Sequence, residues 1–152
     1  MEIELPRDFK ELFESLNANS VRYLMIGGYA VGVHGYSRTT GDLDIFVSDD
    51  RDNVINLAKA LTEFGLPNSE LSGIFHTGRS LVEIGVEPIK VQLMNFADGI
   101  EFDRAFDSRT VVEVEDILIN TISKSDLIKN KLASGRHKGL ADVEQLVRLG
   151  DQ

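Results

Sequence analysis

Two aspartates interrupt an apolar run at residues 42–47, Asp-Leu-Asp-Ile-Phe-Val. A β-strand rises about 3.3 Å per residue and alternates faces, so Asp42 and Asp44 would share one face, about 7 Å apart along the backbone. Leu43 and Ile45 would point the other way, into a core. Asp is depleted in strands, and like charges on one sheet face destabilise it. A divalent cation reverses the sign of that repulsion, because hard cations take carboxylate oxygens together with substrate phosphates. The pattern is therefore half of a metal site, a solvated strand face, or a carboxylate pair matched by basic side chains.

A second feature precedes it. Gly27-Gly28 follows the apolar segment Val21–Ile26 and opens a short segment with helical character that Gly35 closes. Glycine lets a phosphate approach the backbone, and the start of a helix offers unpaired N–H groups. Alone, Gly-Gly is equally a tight strand-to-helix turn. With Asp-x-Asp following after thirteen intervening residues, it reads as the phosphate-facing half of a nucleotide site whose other half holds a metal.

The remaining pattern predicts a small α+β fold, a mixed sheet flanked by helices with a helical C-terminus. Phe9, Leu12, Phe13 and Leu16 mark the apolar face of a first helix, with Asp8 and Glu11 resembling a capping box. Strands are expected at 21–26 and 42–47. A helix follows the Asp-rich start at 49–52 and stops at Gly65. Residues 66–79 read as a loop, 81–86 and 89–94 as a hairpin turning at Glu87-Pro88, 98–108 as ambiguous, and 110–119 as strand structure. Ser123 opens a helix that Gly135 ends. The last helix, about 138–149, places Leu140, Val143 and Val147 on its inner face. The whole of 1–152 reads as a single domain.

Charge narrows the partners. The chain carries a formal net charge of −9, which argues against broad, non-specific DNA binding. Segment 124–148 is locally basic, with six basic residues against three acidic ones, and suits an anionic ligand. The absence of cysteine excludes disulfides and thiolate metal sites. No apolar run approaches the roughly 20 residues of a membrane span, and the N-terminus lacks a signal-peptide pattern. A cytoplasmic protein without a membrane partner is expected.

The segment Ile-Gly-Gly-Tyr-Ala-Val-Gly-Val-His-Gly-Tyr-Ser-Arg-Thr-Thr-Gly-Asp-Leu-Asp-Ile-Phe-Val (26–47) resembles the signature of the nucleotidyltransferase superfamily related to polymerase beta. It looks most like small bacterial proteins near the abortive-infection type. Residues 84–102 and 126–146 resemble later segments of the same proteins. The resemblance implies a polymerase beta-like fold and metal-dependent transfer of a nucleoside monophosphate from a nucleoside triphosphate to an acceptor, whether protein, RNA end or small molecule. It implies Mg²⁺ or Mn²⁺ on Asp42 and Asp44, and the triphosphate at Gly27 and Gly28. Arg38 matches a family arginine before the acidic pair, suited to phosphates or to the aspartates. Lys131 and Arg136 resemble basic family positions that steer the substrate, although an ordinary solvated helix face explains them equally.

One departure stands out. Active members place a third carboxylate on a neighbouring strand, and the matching residue here is Gln92. An amide supplies neither the charge nor a proton acceptor. A two-residue turn at Glu87-Pro88 would set Glu83 opposite Gln92, where Glu83 could replace the missing group. The alternative is a catalytically impaired nucleotide- or partner-binding module, as in half of a toxin–antitoxin pair. Asp142 reads as helix packing. His34 reads as a hydrogen-bonded core residue, and Tyr36 and Phe75 as rings able to stack on a base.

Overall fold

The computed structural model describes residues 5–36, 41–66, 75, 78–86, 89–135 and 137–149. Arg38, Arg136 and the Glu87-Pro88 turn lie outside them, as does most of the loop expected at 66–79.

Helix α1 (Arg7–Ala18) buries Phe9, Leu12, Phe13 and Leu16. Its expected capping box does not form. Pro6 occupies the N-cap without a side-chain hydrogen bond, and Glu11 instead pairs with Arg7 at 3.1 Å. Strand β1 (Tyr23–Ile26) leads directly into α2 (Gly27–Val33), and β2 (Leu43–Val47) leads into α3 (Arg51–Phe64). Asp50 caps α3 by accepting from Asn53 N, and Gly65 closes it in the left-handed conformation. Buried Asn53 then ties the start of α3 to β1 through both the N–H and the carbonyl of Arg22.

Strands β3 (Leu81–Val86) and β4 (Ile89–Met94) pair antiparallel, with Val86 opposite Ile89 and Glu83 opposite Gln92. That is the register a two-residue turn at 87–88 demands. The ambiguous segment contains α4 (Phe102–Asp107). The stretch expected as strand structure is a hairpin, β5 (Thr110–Val114) and β6 (Ile117–Thr121). Glu115 and Asp116 both take positive φ, as a two-residue type I′ turn requires. Glu-Asp lacks the glycine that normally advertises such a turn, so the alternation ran through it. Ser123 and Gly135 cap α5 (Lys124–Ser134), and α6 (His137–Arg148) follows.

The six strands form one mixed sheet in the order β3-β4-β2-β1-β6-β5. Pairs β1–β2, β3–β4 and β5–β6 are antiparallel, while β1–β6 and β2–β4 are parallel. Alternation along the strands divides the core between the two faces. Tyr23, Met25, Leu43, Ile45, Val47, Val91 and Leu93 pack with α1 and α3 on the first. Leu24, Ile26, Phe46 and Met94 pack with α2, α4, α5 and α6 on the second. Asp44 shares its alternation with Phe46 and therefore lies on the second face.

Helix α6 is turned from its expected orientation. Leu146 and Asp142 are buried, while Leu140 and Val147 are 43% and 61% exposed. The two candidate stripes differ by about one residue of rotation. The inward one is selected by Asp142, whose Oδ2 lies 3.0 Å from Lys131 Nζ on α5, both side chains nearly buried. Among the described residues no helix is long and apolar enough to cross a membrane.

Candidate active site

The site begins with a backbone requirement. Gly27 has φ +70°, and a Cβ built there would overlap Asp44 Oδ2 and stand 3.1 Å from Asp44 Cβ and Cγ. Antiparallel pairing of β1 with β2 sets Ile26 opposite Asp44, so the turn after β1 lies directly against that carboxylate. Gly27 thus answers two demands, left-handed backbone and close approach, and only glycine meets both. Gly28 follows in the first turn of α2.

Asp44 lies within β2, whereas Asp42 precedes its first residue. Asp44 Oδ1 is buried, while the Asp42 side chain is about one-third exposed. Parallel pairing of β2 with β4 sets Asp44 opposite Gln92, and the β3–β4 register sets Gln92 opposite Glu83. Three polar side chains therefore form a row across β2, β4 and β3 on one face. Gln92 Nε2 donates to Glu83 Oε1 at 3.3 Å. Lys90, two residues earlier on β4, places Nζ 3.7 Å from Glu83 Oε1 and 3.8 Å from Asp42 Oδ2.

A cavity of about 490 Å³ opens onto these groups. Gly27, Gly28, Asp42, Asp44 and Gln92 line one side. Asp98, Asn130, Lys131, Ser134 and Gly139 line the other. The structure thus brings Gly27, Gly28, Asp42, Asp44, Gln92 and Lys131 together around one space. Glu83 stands beside Gln92, outside that lining. Lys131 reaches it already paired with Asp142. The Asp98 carbonyl accepts from Asn130 Nδ2 at 3.0 Å, which fastens the loop after β4 to α5.

Lys90, Asp98, Asn130 and Ser134 escaped the sequence reading. For Lys90 a signal existed, since the register that pairs Glu83 with Gln92 also pairs Gly85 with Lys90. For the others there was none, because their approach depends on how α5 packs. Phe75 is 6% exposed within the first core, which removes it as a stacking ring, and Tyr36 packs against the second core. His34 is half-buried and its Nε2–H donates to the Ile122 carbonyl at 2.7 Å. Burial lowers its pKa from the ordinary 6.5, nearby Lys124 adds to the lowering, and the Ile122 hydrogen bond opposes both.

The donor set fits a hard divalent cation. Two carboxylates lie on one face, Gly27 and Gly28 line the same cavity beside them, and substrate phosphates complete such shells. Among the described residues no group of three or more His, Cys, Asp or Glu side chains is placed to hold an ion by itself. Asp42 and Asp44 are therefore a half-site.

Gly-Gly after β1 thus faces Asp44 on β2, with Asp42 just before that strand, at one cavity on a mixed sheet. The chain belongs to the family described as nucleotidyltransferase of unknown function (DUF6036), whose profile matches residues 3–149. Comparison with curated proteins gave no match. Among solved structures, a candidate nucleotidyltransferase from Thermotoga maritima superposes with TM-score 0.62 at 15% identity, over 94% of this chain and 92% of that one. An antigenic nucleotidyltransferase-like protein from Paracoccidioides brasiliensis gives 0.58 at 14% identity, over 92% and 73%. The lincosamide antibiotic adenylyltransferase LnuA with lincomycin bound gives 0.56 at 14% identity, over 94% and 96%. All three share the fold.

Proposed function

We propose that this chain transfers a nucleoside monophosphate from a nucleoside triphosphate to an acceptor hydroxyl, using a divalent cation, Mg²⁺ or Mn²⁺, at Asp42 and Asp44. The observation that carries the proposal is the fit of Gly27 against Asp44 at the cavity. It puts a turn open to phosphate beside a carboxylate pair open to metal. The cation, when bound, neutralises phosphate charge and orients the reacting groups. Gly27 and Gly28 leave room for the phosphate chain, and Lys131 supplies positive charge on the opposite wall. The acceptor oxygen bonds to the α-phosphorus as the bond to the pyrophosphate oxygen breaks. The hydroxyl proton passes to a carboxylate at the site, since an amide at 92 cannot take it. A cavity of about 490 Å³ is of the size that holds a small ligand such as the triphosphate.

A second reading is binding without transfer. Gln92 in place of a third carboxylate and the Lys90 ammonium beside Asp42 favour it. Thermal melting with each nucleoside triphosphate, with and without Mg²⁺ or Mn²⁺, tests the site. A ligand at a hundred times its Kd adds about 2.7 kcal/mol to the stability of the folded state. The shift should require metal and vanish in the Asp42→Ala/Asp44→Ala double variant. Pyrophosphate release on adding candidate acceptors separates transfer from binding.

A further inference from the structure

We propose that Gln92 is a neutral oxygen ligand of the metal site and that Glu83 is the positioning residue that aims it. The inference rests on the reading of Asp42 and Asp44 as the metal half-site. Glu83 and Asp44 flank Gln92 in register on its two neighbouring strands. A carboxylate beside an ammonium accepts hydrogen bonds and donates none. Only the nitrogen end of the Gln92 amide can therefore face Glu83, and Nε2 does, at 3.3 Å. The amide is planar with its oxygen on the other branch, so Oε1 is directed away from Glu83. Gln92 lines the cavity and Glu83 does not. With Nε2 engaged by Glu83, the atom Gln92 has left to offer the site is its carbonyl oxygen, a normal ligand for hard cations. Released from Glu83, the amide would be free to flip and aim N–H groups at the cation.

The arrangement also lowers the charge of the site. Two carboxylates and an amide replace three carboxylates, and Lys90 Nζ stands 3.8 Å from Asp42. The metal should therefore bind poorly alone and well together with the triphosphate.

The test measures Mn²⁺ binding calorimetrically on the full chain, in the presence of a nucleoside triphosphate analogue with a non-cleavable α–β bridge. Gln92→Leu and Glu83→Ala should each weaken binding about tenfold, the lower end of losses from disturbing ligand-orienting partners. Glu83→Gln should stay within about twofold of the parent, because its carbonyl still accepts from Gln92 Nε2. A Glu83→Gln loss equal to that of Glu83→Ala overturns the positioning role, since it would make the carboxylate itself the ligand. If Asp44→Asn abolishes binding while Gln92→Leu binds like the parent, the aspartate site stands and this proposal falls. A parent chain without metal-dependent binding overturns both. A metal-free readout is the side-chain amide NMR signal of Gln92. It should move to the position of solvated amides in Glu83→Ala but not in Glu83→Gln, and an unmoved signal in Glu83→Ala overturns the proposal.

Discussion

Gly27 and Asp44 touch across the β1–β2 pair so closely that no side chain fits between them. The contact joins a glycine turn to an acidic strand and creates the cavity wall on which the proposed chemistry depends. Gly27→Ala should cost about 1–2 kcal/mol from the left-handed backbone alone, with a further loss from displacing Asp44. It should also abolish metal-dependent triphosphate binding. Gly32 is the matched control: it sits inside α2 with nothing within 4 Å of a built Cβ. Gly32→Ala should stabilise by about 0.5–1 kcal/mol and leave binding unchanged. Urea unfolding and nucleotide titration of both variants check the pair.

Lys131 and Asp142 join α5 to α6 at 3.0 Å with side chains only 12% and 2% exposed. Removing one partner of a buried pair takes from the other its counter-charge at 3.0 Å, so Lys131→Met should destabilise by about 3 kcal/mol. Adding Asp142→Leu should recover much of that loss. Lys129→Met, whose side chain is 65% exposed and whose ammonium lies 3.8 Å from Asp126, should change stability by less than about 1 kcal/mol. Chemical unfolding curves for the four proteins give the comparison.

Acid should act in two separate windows. His34 has a lowered pKa in the folded chain, so the unfolded state binds its proton more readily. Its contribution is complete above the ordinary value of 6.5 and is lost as pH falls below it. Asp50 is lowered from 3.8, first by the hydrogen bond from Asn53 N. Its contribution is complete above 3.8 and is lost below. Unfolding midpoints measured between pH 8 and pH 3 should fall in two steps. His34→Gln, which still donates to the Ile122 carbonyl, should remove the upper step and Asp50→Ala the lower.

Lys90 competes for Asp42, one of the two carboxylates that a cation would use. Lys90→Met should therefore tighten Mn²⁺ binding severalfold in the presence of a triphosphate analogue. It should lower stability only slightly, since Asp42 and Glu83 are partly exposed. Calorimetric titration beside the parent chain reads the change, and weaker binding would assign Lys90 to the phosphates instead.

Local patterns were enough for several features. Alternation placed Leu43 and Ile45 in the core and Asp42 and Asp44 on one face. Caps at Asp50 and Ser123 and stops at Gly65 and Gly135 have their own side-chain or backbone chemistry, and each stands where its residue type announces it. The β3–β4 register follows from turn length. These features involve residues near each other in the chain, so the preference is written in composition and spacing.

Other features required the folded molecule. Nothing local distinguishes two adjacent helical stripes on α6, and the Lys131–Asp142 pair from another helix decided between them. The Glu115-Asp116 turn carries no glycine signal because the strands it joins hold it in place. Residues 42–47 alone specify an acidic pair on a strand and suggest what such a pair is for. That Gln92 lies beside Asp44, with Glu83 holding its nitrogen, depends on β4 entering the sheet parallel to β2. Strand order among distant segments is settled by packing the two cores on both faces at once, and no short stretch of residues encodes it.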